Sequence, residues 1–206
     1  MNIFRWTRVL FFKGHSRAGF FLAPARVALW LAVGFAKASA SEGSFITDVI
    51  QQNWTYAKKA LKSGRTDLVL SGYTYHEPWS YSAAQLKHLN SESWGVGFSR
   101  WIADDSGNQH GVYLIGFKDS HFHPEFQWGY RWMHGWQILD TPARIEVGYS
   151  VFLFSRKDIG RYLPLPGALP MVSLGTQSTK LNVTWIPRIS DTIQGNTLFF
   201  FLTQAL

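Results

Sequence analysis

The chain of 206 residues contains no cysteine. Disulfide frameworks, thiol nucleophiles and cysteine-type zinc sites are thereby excluded, and any metal would have to rest on His and carboxylates. Acids are missing from the first forty residues, which carry Arg5, Arg8, Lys13, Arg17, Arg26 and Lys37. The remainder has fourteen bases against thirteen acids, so the formal charge of +7 belongs to the leader and gives no basic surface for nucleic acid. Also missing is any continuous apolar run near the roughly 20 residues that a membrane-spanning helix needs. A content of 46% hydrophobic and 17% aromatic residues nevertheless excludes a disordered chain, and the length fits one domain.

The leader has a basic start, a short apolar stretch from Val27 to Ala36 and then Ala38-Ser39-Ala40, the small-residue pattern of a signal-peptidase site. A signal peptide over 1–40 and a mature exported domain over 41–206 are expected. From Ser44 to Ser63, Ile46, Val49, Ile50, Trp54, Ala57 and Leu61 recur at three- and four-residue spacing, opposite Gln51, Gln52, Lys58, Lys59 and Lys62. This spacing predicts an amphipathic helix over about 44–62, capped by Ser44. Its apolar face suits either a protein surface or a membrane interface.

Beyond residue 65 the period falls to two. Phe126, Trp128, Tyr130 and Trp132 alternate with Glu125, Gln127, Gly129 and Arg131, and Leu181, Val183 and Trp185 alternate with Lys180, Asn182 and Thr184. Similar runs place strands near 67–76, 92–102, 109–119, 125–136, 144–156, 170–176, 179–187 and 196–206. Eight strands of about ten residues, aromatic on one face, in an exported chain without spanning helices, match an all-β fold: an eight-stranded antiparallel transmembrane barrel. Alternation alone also fits a water-soluble barrel with its apolar face inward. Short connections at 103–108, 137–143 and 177–178, against long ones at 77–91 and 157–169, favour the membrane barrel.

In that topology the first and third strands end on one rim, which brings His76 near Asp119 and Ser120. A base, a carboxylate and a hydroxyl are the side chains of acyl transfer, although polar residues at strand ends are more commonly just solvated. His121 and His123 alternate as metal ligands do but lack a fixed third partner, so a solvated loop is expected and no metal. His110 and His134 fall toward the opposite rim.

The residues Trp94-Gly95, Ser99-Arg100-Trp101, Gly107-Asn108, His110-Gly111, Tyr113, Phe117-Lys118-Asp119-Ser120, Gly129-Tyr130 and Tyr162-Leu163-Pro164-Leu165-Pro166, with Leu169-Pro170, are in colinear order. In this string the chain resembles the outer-membrane lipid A palmitoyltransferases (PagP), over about 66–200. The resemblance implies an acyltransferase that takes a palmitoyl or similar chain from the sn-1 position of a phospholipid to the hydroxyl of an N-linked hydroxyacyl chain of lipid A. It implies an outer-membrane monomer with no cofactor, and it places the family's functional residues on His76, Asp119 and Ser120. Their expected roles are His76 as general base, Asp119 as its orienting or charge-stabilising partner, and Ser120 as nucleophile or hydrogen-bond donor. A non-enzymatic barrel that binds lipid or a surface partner is the competing reading.

Three features bear on specificity. Pro170, opening the sixth strand, and Pro187, closing the seventh, thin the hydrogen-bond ladder where the resemblance implies a lateral lipid gate. Arg131 occupies the position at which strictly palmitate-selective members carry Gly at the floor of the acyl pocket. It is expected in the lumen, paired with Glu125 or Glu146, with selectivity looser or shorter than palmitate. Gln85 and Lys87, in the long loop after the first strand, are candidate lipid A contacts.

Overall fold

The computed structural model describes residues 42–188 and 196–206. The expected signal peptide over 1–40 and the capping side chain of Ser44 lie outside the described residues. Helix α1 spans Glu42–Ser63 and is followed by β1 (Arg65–His76), the short helix α2 (Ala83–Leu86), β2 (Gly95–Ala103) and β3 (Gln109–Lys118). Then come β4 (Pro124–Gln137), β5 (Arg144–Arg156), a 3-10 turn (Gly160–Tyr162), β6 (Leu165–Gly175), β7 (Thr179–Ile186) and β8 (Thr197–Ala205). Each strand pairs antiparallel with its sequence neighbours and β8 returns to β1, so the sheet closes as an eight-stranded barrel. Closure pairs every strand on both sides through most of the barrel, and the ladder opens only toward one rim.

The polar positions of the alternation point inward. Asp67, Ser99, Gln109, Glu125, Arg131, Glu146, Lys180 and Asn182 are buried, while Val96, Phe98, Leu114, Phe126, Trp128, Val151, Leu153 and Val172 are exposed on the outside. Apolar-out and polar-in is the pattern of a lipid-facing barrel, and it is the reverse of a soluble one.

Deep in the lumen the charges neutralise one another. Lys180 Nζ donates to both oxygens of Glu146 at 2.9 Å and to Gln109 Oε1 at 2.8 Å. Trp101 Nε1 donates to Asp67 Oδ2 at 2.8 Å, and Asn182 joins Ser173 and Thr203. Buried charges survive only when paired in this way.

Helix α1 packs outside the barrel against β2 and β3. Its apolar stripe is turned outward: Ile46, Ile50, Trp54 and Leu61 are more than half exposed except Ile46, at 50%, whereas Ala57 and Ala60 are buried. The barrel-facing side uses Asn53, which donates to Tyr149 OH and accepts from Tyr130 OH, both at 3.1 Å, and Tyr56, stacked on His110. The helix thus has two buried sides when set in a membrane interface, one against protein and one against lipid. Arg100 on β2 caps its C-terminal end, donating to the carbonyls of Gly64 and Leu61, where a cation also suits the helix dipole.

Of the strand boundaries that differ from the sequence expectation, the start of β6 differs most. β6 begins at Leu165, so Pro170 lies in mid-strand and does not open it. The proline-rich stretch is held as a strand by β5 on one side, from Leu165↔Phe154 to Pro170↔Tyr149, whereas β7 pairs only from Met171 downward. Pro170 needs no N–H on the side where no strand lies. Pro187 directly follows the end of β7. The ladder between β6 and β7 is therefore open above Met171.

Candidate active site

The outer rim carries the C-terminal ends of β1, β3 and β5. His76 closes β1 and pairs with Thr197 of β8, while its ring packs edge-on against Tyr81. β1 carries a bulge between Ser71 and Tyr73, and from there up it pairs with β8 only. Loop residues replace β2 at this level: Thr74 N donates to Ser91 O, and Ser93 bonds the hydroxyls of both Ser71 and Thr74. A buried polar seam therefore sets the end of β1, and with it the imidazole.

His76 Nε2 lies 2.8 Å from Ser120 Oγ. Ser120 is held from behind, because Asn90 N donates to its carbonyl at 2.8 Å and Asn90 Nδ2 donates to the carbonyl of Asp119 at 3.1 Å. The five residues joining β3 to β4 are wound around the Asp119 carboxylate, whose Oδ1 accepts from the backbone N–H of His121 and of His123, both at 2.8 Å. This winding forces Phe122 to a φ of 64°. None of the Asp119 hydrogen bonds goes to His76. Its Oδ2 lies 3.5 Å from Arg156 Nη2 and has no hydrogen-bond partner. The structure thus brings all three expected residues together, with Asp119 acting on the loop that presents Ser120 rather than on the imidazole.

Arg156, at the end of β5, is the electrostatic hub behind the loop. It reaches Asp119, Glu125 at 3.6 Å, Asp158 at 2.6 Å and His121 Nδ1 at 3.2 Å. Burial alone would raise Asp158, but the Arg156 bonds outweigh it and hold its carboxyl below the usual range. The ligand atoms of Asp119, His121 and Asp158 lie within 4.8 Å of one another, as a cation site would require. The guanidinium of Arg156 contacts all three.

Below the rim the lumen holds an apolar pocket lined by Val69, Ile115, Phe152, Met171, Phe199 and Phe201 among others. Arg131 lines it too, whereas Asp67, Glu146 and Lys180 do not. Arg131 is buried as expected but pairs with neither Glu125 nor Glu146. Its Nη2 lies 3.8 Å from Asp67 Oδ2, a partner that comes across the lumen from β1. Arg131 Nε and Nη2 make no hydrogen bond.

Gln85 and Lys87 are placed differently from one another. Gln85 is the third residue of a capping box, with Oε1 accepting from Ser82 N at 2.8 Å, and Lys87 is the exposed C-cap of α2.

Residues 57–203 match a family model described as antimicrobial peptide resistance and lipid A acylation protein PagP. The chain belongs to the PagP family. It is 38% identical over 138 residues to a lipid A acyltransferase PagP of Bordetella pertussis, covering 67% of this chain and 74% of that one. A lipid A acyltransferase PagP of Legionella pneumophila is 35% identical over 150 residues, 73% of this chain and 75% of its own. One from Methylobacillus flagellatus is 34% identical over 142 residues, 68% and 74% respectively. As a PagP-family barrel with apolar residues outward, the chain is an outer-membrane acyltransferase.

Three parts of this PagP-family site were not found from sequence. Asn90 sits in a polar loop with no periodic signal, and Tyr81 in the same loop bonds Thr197 at 2.8 Å. Arg156 carries a clue of a kind, as the last strand residue before a turn bearing Lys157 and Asp158, but nothing local ties it to Asp119.

Proposed function

We propose that the protein transfers one fatty acyl chain from the sn-1 position of a phospholipid to the hydroxyl of an N-linked hydroxyacyl chain of lipid A. The observation that carries this reading is the 2.8 Å contact of His76 Nε2 with Ser120 Oγ at the rim, above a blind apolar pocket. A phospholipid enters sideways where β6 and β7 are unpaired, between Pro170 and Pro187, and lowers its sn-1 chain into the pocket. Neutral His76 takes the Ser120 proton as Ser120 Oγ attacks the ester carbonyl. The proton passes to the departing lysophospholipid oxygen. The lipid A hydroxyl then attacks the acyl-serine, His76 takes its proton, and Ser120 Oγ regains one as the product ester forms.

Asp119 is a positioning residue here. Its carboxylate fixes the backbone of residues 119–123, and Arg156 balances its charge. Gln85 and Lys87 stand at the rim loop as acceptor contacts. Export with loss of residues 1–40, and action as a monomer, complete the proposal.

The test is Ser120→Ala beside wild type, with lipid A profiled by mass spectrometry and the protein searched for an acyl adduct during turnover. A loss of transfer of about 10³-fold or more, with an adduct at Ser120 in wild type, is expected for a nucleophile. Substantial transfer by Ser120→Ala would make Ser120 a hydrogen-bond donor to a direct attack by the lipid A hydroxyl.

A further inference from the structure

On the outside of the barrel, next to the catalytic loop, the aromatic wall is interrupted. A groove runs over β2, β3 and β4, walled by Trp94, Phe98, Leu114, Phe122 and Phe126. Its floor is Gly116, where a Cβ would approach the Phe126 ring to 3.1 Å. At its rim end stands Lys118, exposed and, among the described residues, in no ion pair. An uncharged apolar trough capped by the Lys118 ammonium is complementary in shape and charge to a lipid with an acyl chain and a phosphate.

The same five-residue loop serves both sides of the barrel wall. Lys118 precedes Asp119 and Ser120 directly, and Phe122, 60% exposed, closes the groove from above. A bulky residue at a positive φ is costly unless the surroundings enforce it. Here the Asp119 carboxylate does so, through the N–H groups on either side of Phe122. One carboxylate therefore turns Ser120 inward to His76 and Phe122 outward to lipid.

We propose that this groove holds the acceptor: a phosphate-bearing lipid A molecule, with one acyl chain over Gly116 and a phosphate on Lys118. Its headgroup then lies over residues 118–122, beside Ser120. The inference rests on the acyl-transfer reading for the identity of the lipid, and it adds a docking surface that is separate from the lumen pocket and from the gap between β6 and β7.

Binding is measured apart from chemistry, in the full chain carrying Ser120→Ala, by native mass spectrometry of lipid retained from micelles. The lipids are lipid A, enzymatically dephosphorylated lipid A and phosphatidylethanolamine. Lipid A should be retained at concentrations at least tenfold below the other two, and Lys118→Gln should erase that preference. Gly116→Leu should weaken retention of all forms of lipid A about threefold to tenfold, with Leu114→Trp as a second groove-filling change if it fails to fold. In the Ser120-containing enzyme, Lys118→Gln should raise KM for lipid A severalfold at nearly constant kcat. Equal retention of phosphatidylethanolamine and lipid A, or unchanged retention in the variants, overturns the groove even if transfer proceeds normally. Failure of transfer in wild type with lipid A retained would instead overturn the acyl-transfer reading alone.

Discussion

Replacing Arg131 by Gly should lengthen the acyl chain that the enzyme accepts. Arg131 lies six residues down β4 from Glu125, about 20 Å along the strand at ~3.3 Å per residue and about 14 Å in depth at a tilt near 45°. An extended chain advances about 1.25 Å per carbon, for tetrahedral bonds of ~1.5 Å, so this depth takes about eleven or twelve carbons. The arginine side chain lies across the lumen toward Asp67, so removing it deepens the pocket by about one van der Waals thickness, ~3.5–4 Å, or about three more carbons. Wild type should therefore prefer donors with sn-1 chains near twelve carbons, and Arg131→Gly should prefer chains about three carbons longer. The substitution also leaves Asp67 with Trp101 and the more distant Arg65 at 3.8 Å, and breaking a buried ion pair typically costs about 3–5 kcal/mol. Arg131→Gly combined with Asp67→Asn removes that penalty and should show the same length shift in a more stable barrel. The assay competes a set of phospholipids differing only in sn-1 length and weighs the lipid A products by mass. An identical preferred length in wild type and both variants would refute Arg131 as the pocket floor.

His76→Ala should leave a heat-modifiable, folded barrel on gels while lowering transfer by about 10²-fold to 10⁴-fold; near-normal lipid A acylation would remove His76 from the chemistry. Arg100→Ala uncaps the end of α1 and should lower barrel stability by about 1–3 kcal/mol in detergent titrations, with little change in kcat because Arg100 lies at the far rim from His76. Asp104, in the turn after β2, would be raised by its burial but is held at about 2 by bonds from Asn108, His110 and two backbone N–H groups. Its folded pKa is below its ordinary value of 3.8, so its contribution is complete above pH 3.8 and is lost as pH falls toward 2. Urea midpoints between pH 5 and pH 2 should show that loss, and Asp104→Asn should flatten it. N-terminal sequencing of protein from the outer membrane should start at Ser41.

The barrel was legible because its signal is period two, repeated in every strand, and needs no knowledge of partners. The approach of His76 to Asp119 and Ser120 was legible for a related reason: once strand count and direction are known, strand ends fall on a known rim. The partner of Arg131 was not, because a long side chain crosses the lumen and meets Asp67 by strand stagger, a quantity the sequence of β4 does not contain. Pro170 misled for a physical reason as well. Proline usually marks a strand end because a ladder needs its N–H, and here β6 runs past it since one neighbour is absent at that level. The outward turn of the Ile46, Ile50 and Trp54 stripe shows the same limit, since an apolar helix face states that it avoids water without saying whether protein or lipid covers it.

The paired charges deep in the lumen also decide what the protein cannot be. Lys180, Glu146, Gln109, Asn182 and Arg131 with Asp67 fill the cross-section beneath the pocket and hold one another by hydrogen bonds and ion pairs. A reconstituted planar bilayer should therefore stay electrically silent, without the unitary current steps of a porin of similar outline. Hydrocarbon that has gone down the barrel must come back up the way it entered. On the proposed acyl transfer, loading and discharge then share the same end of the barrel, so the spent lysophospholipid must clear it before the next donor loads.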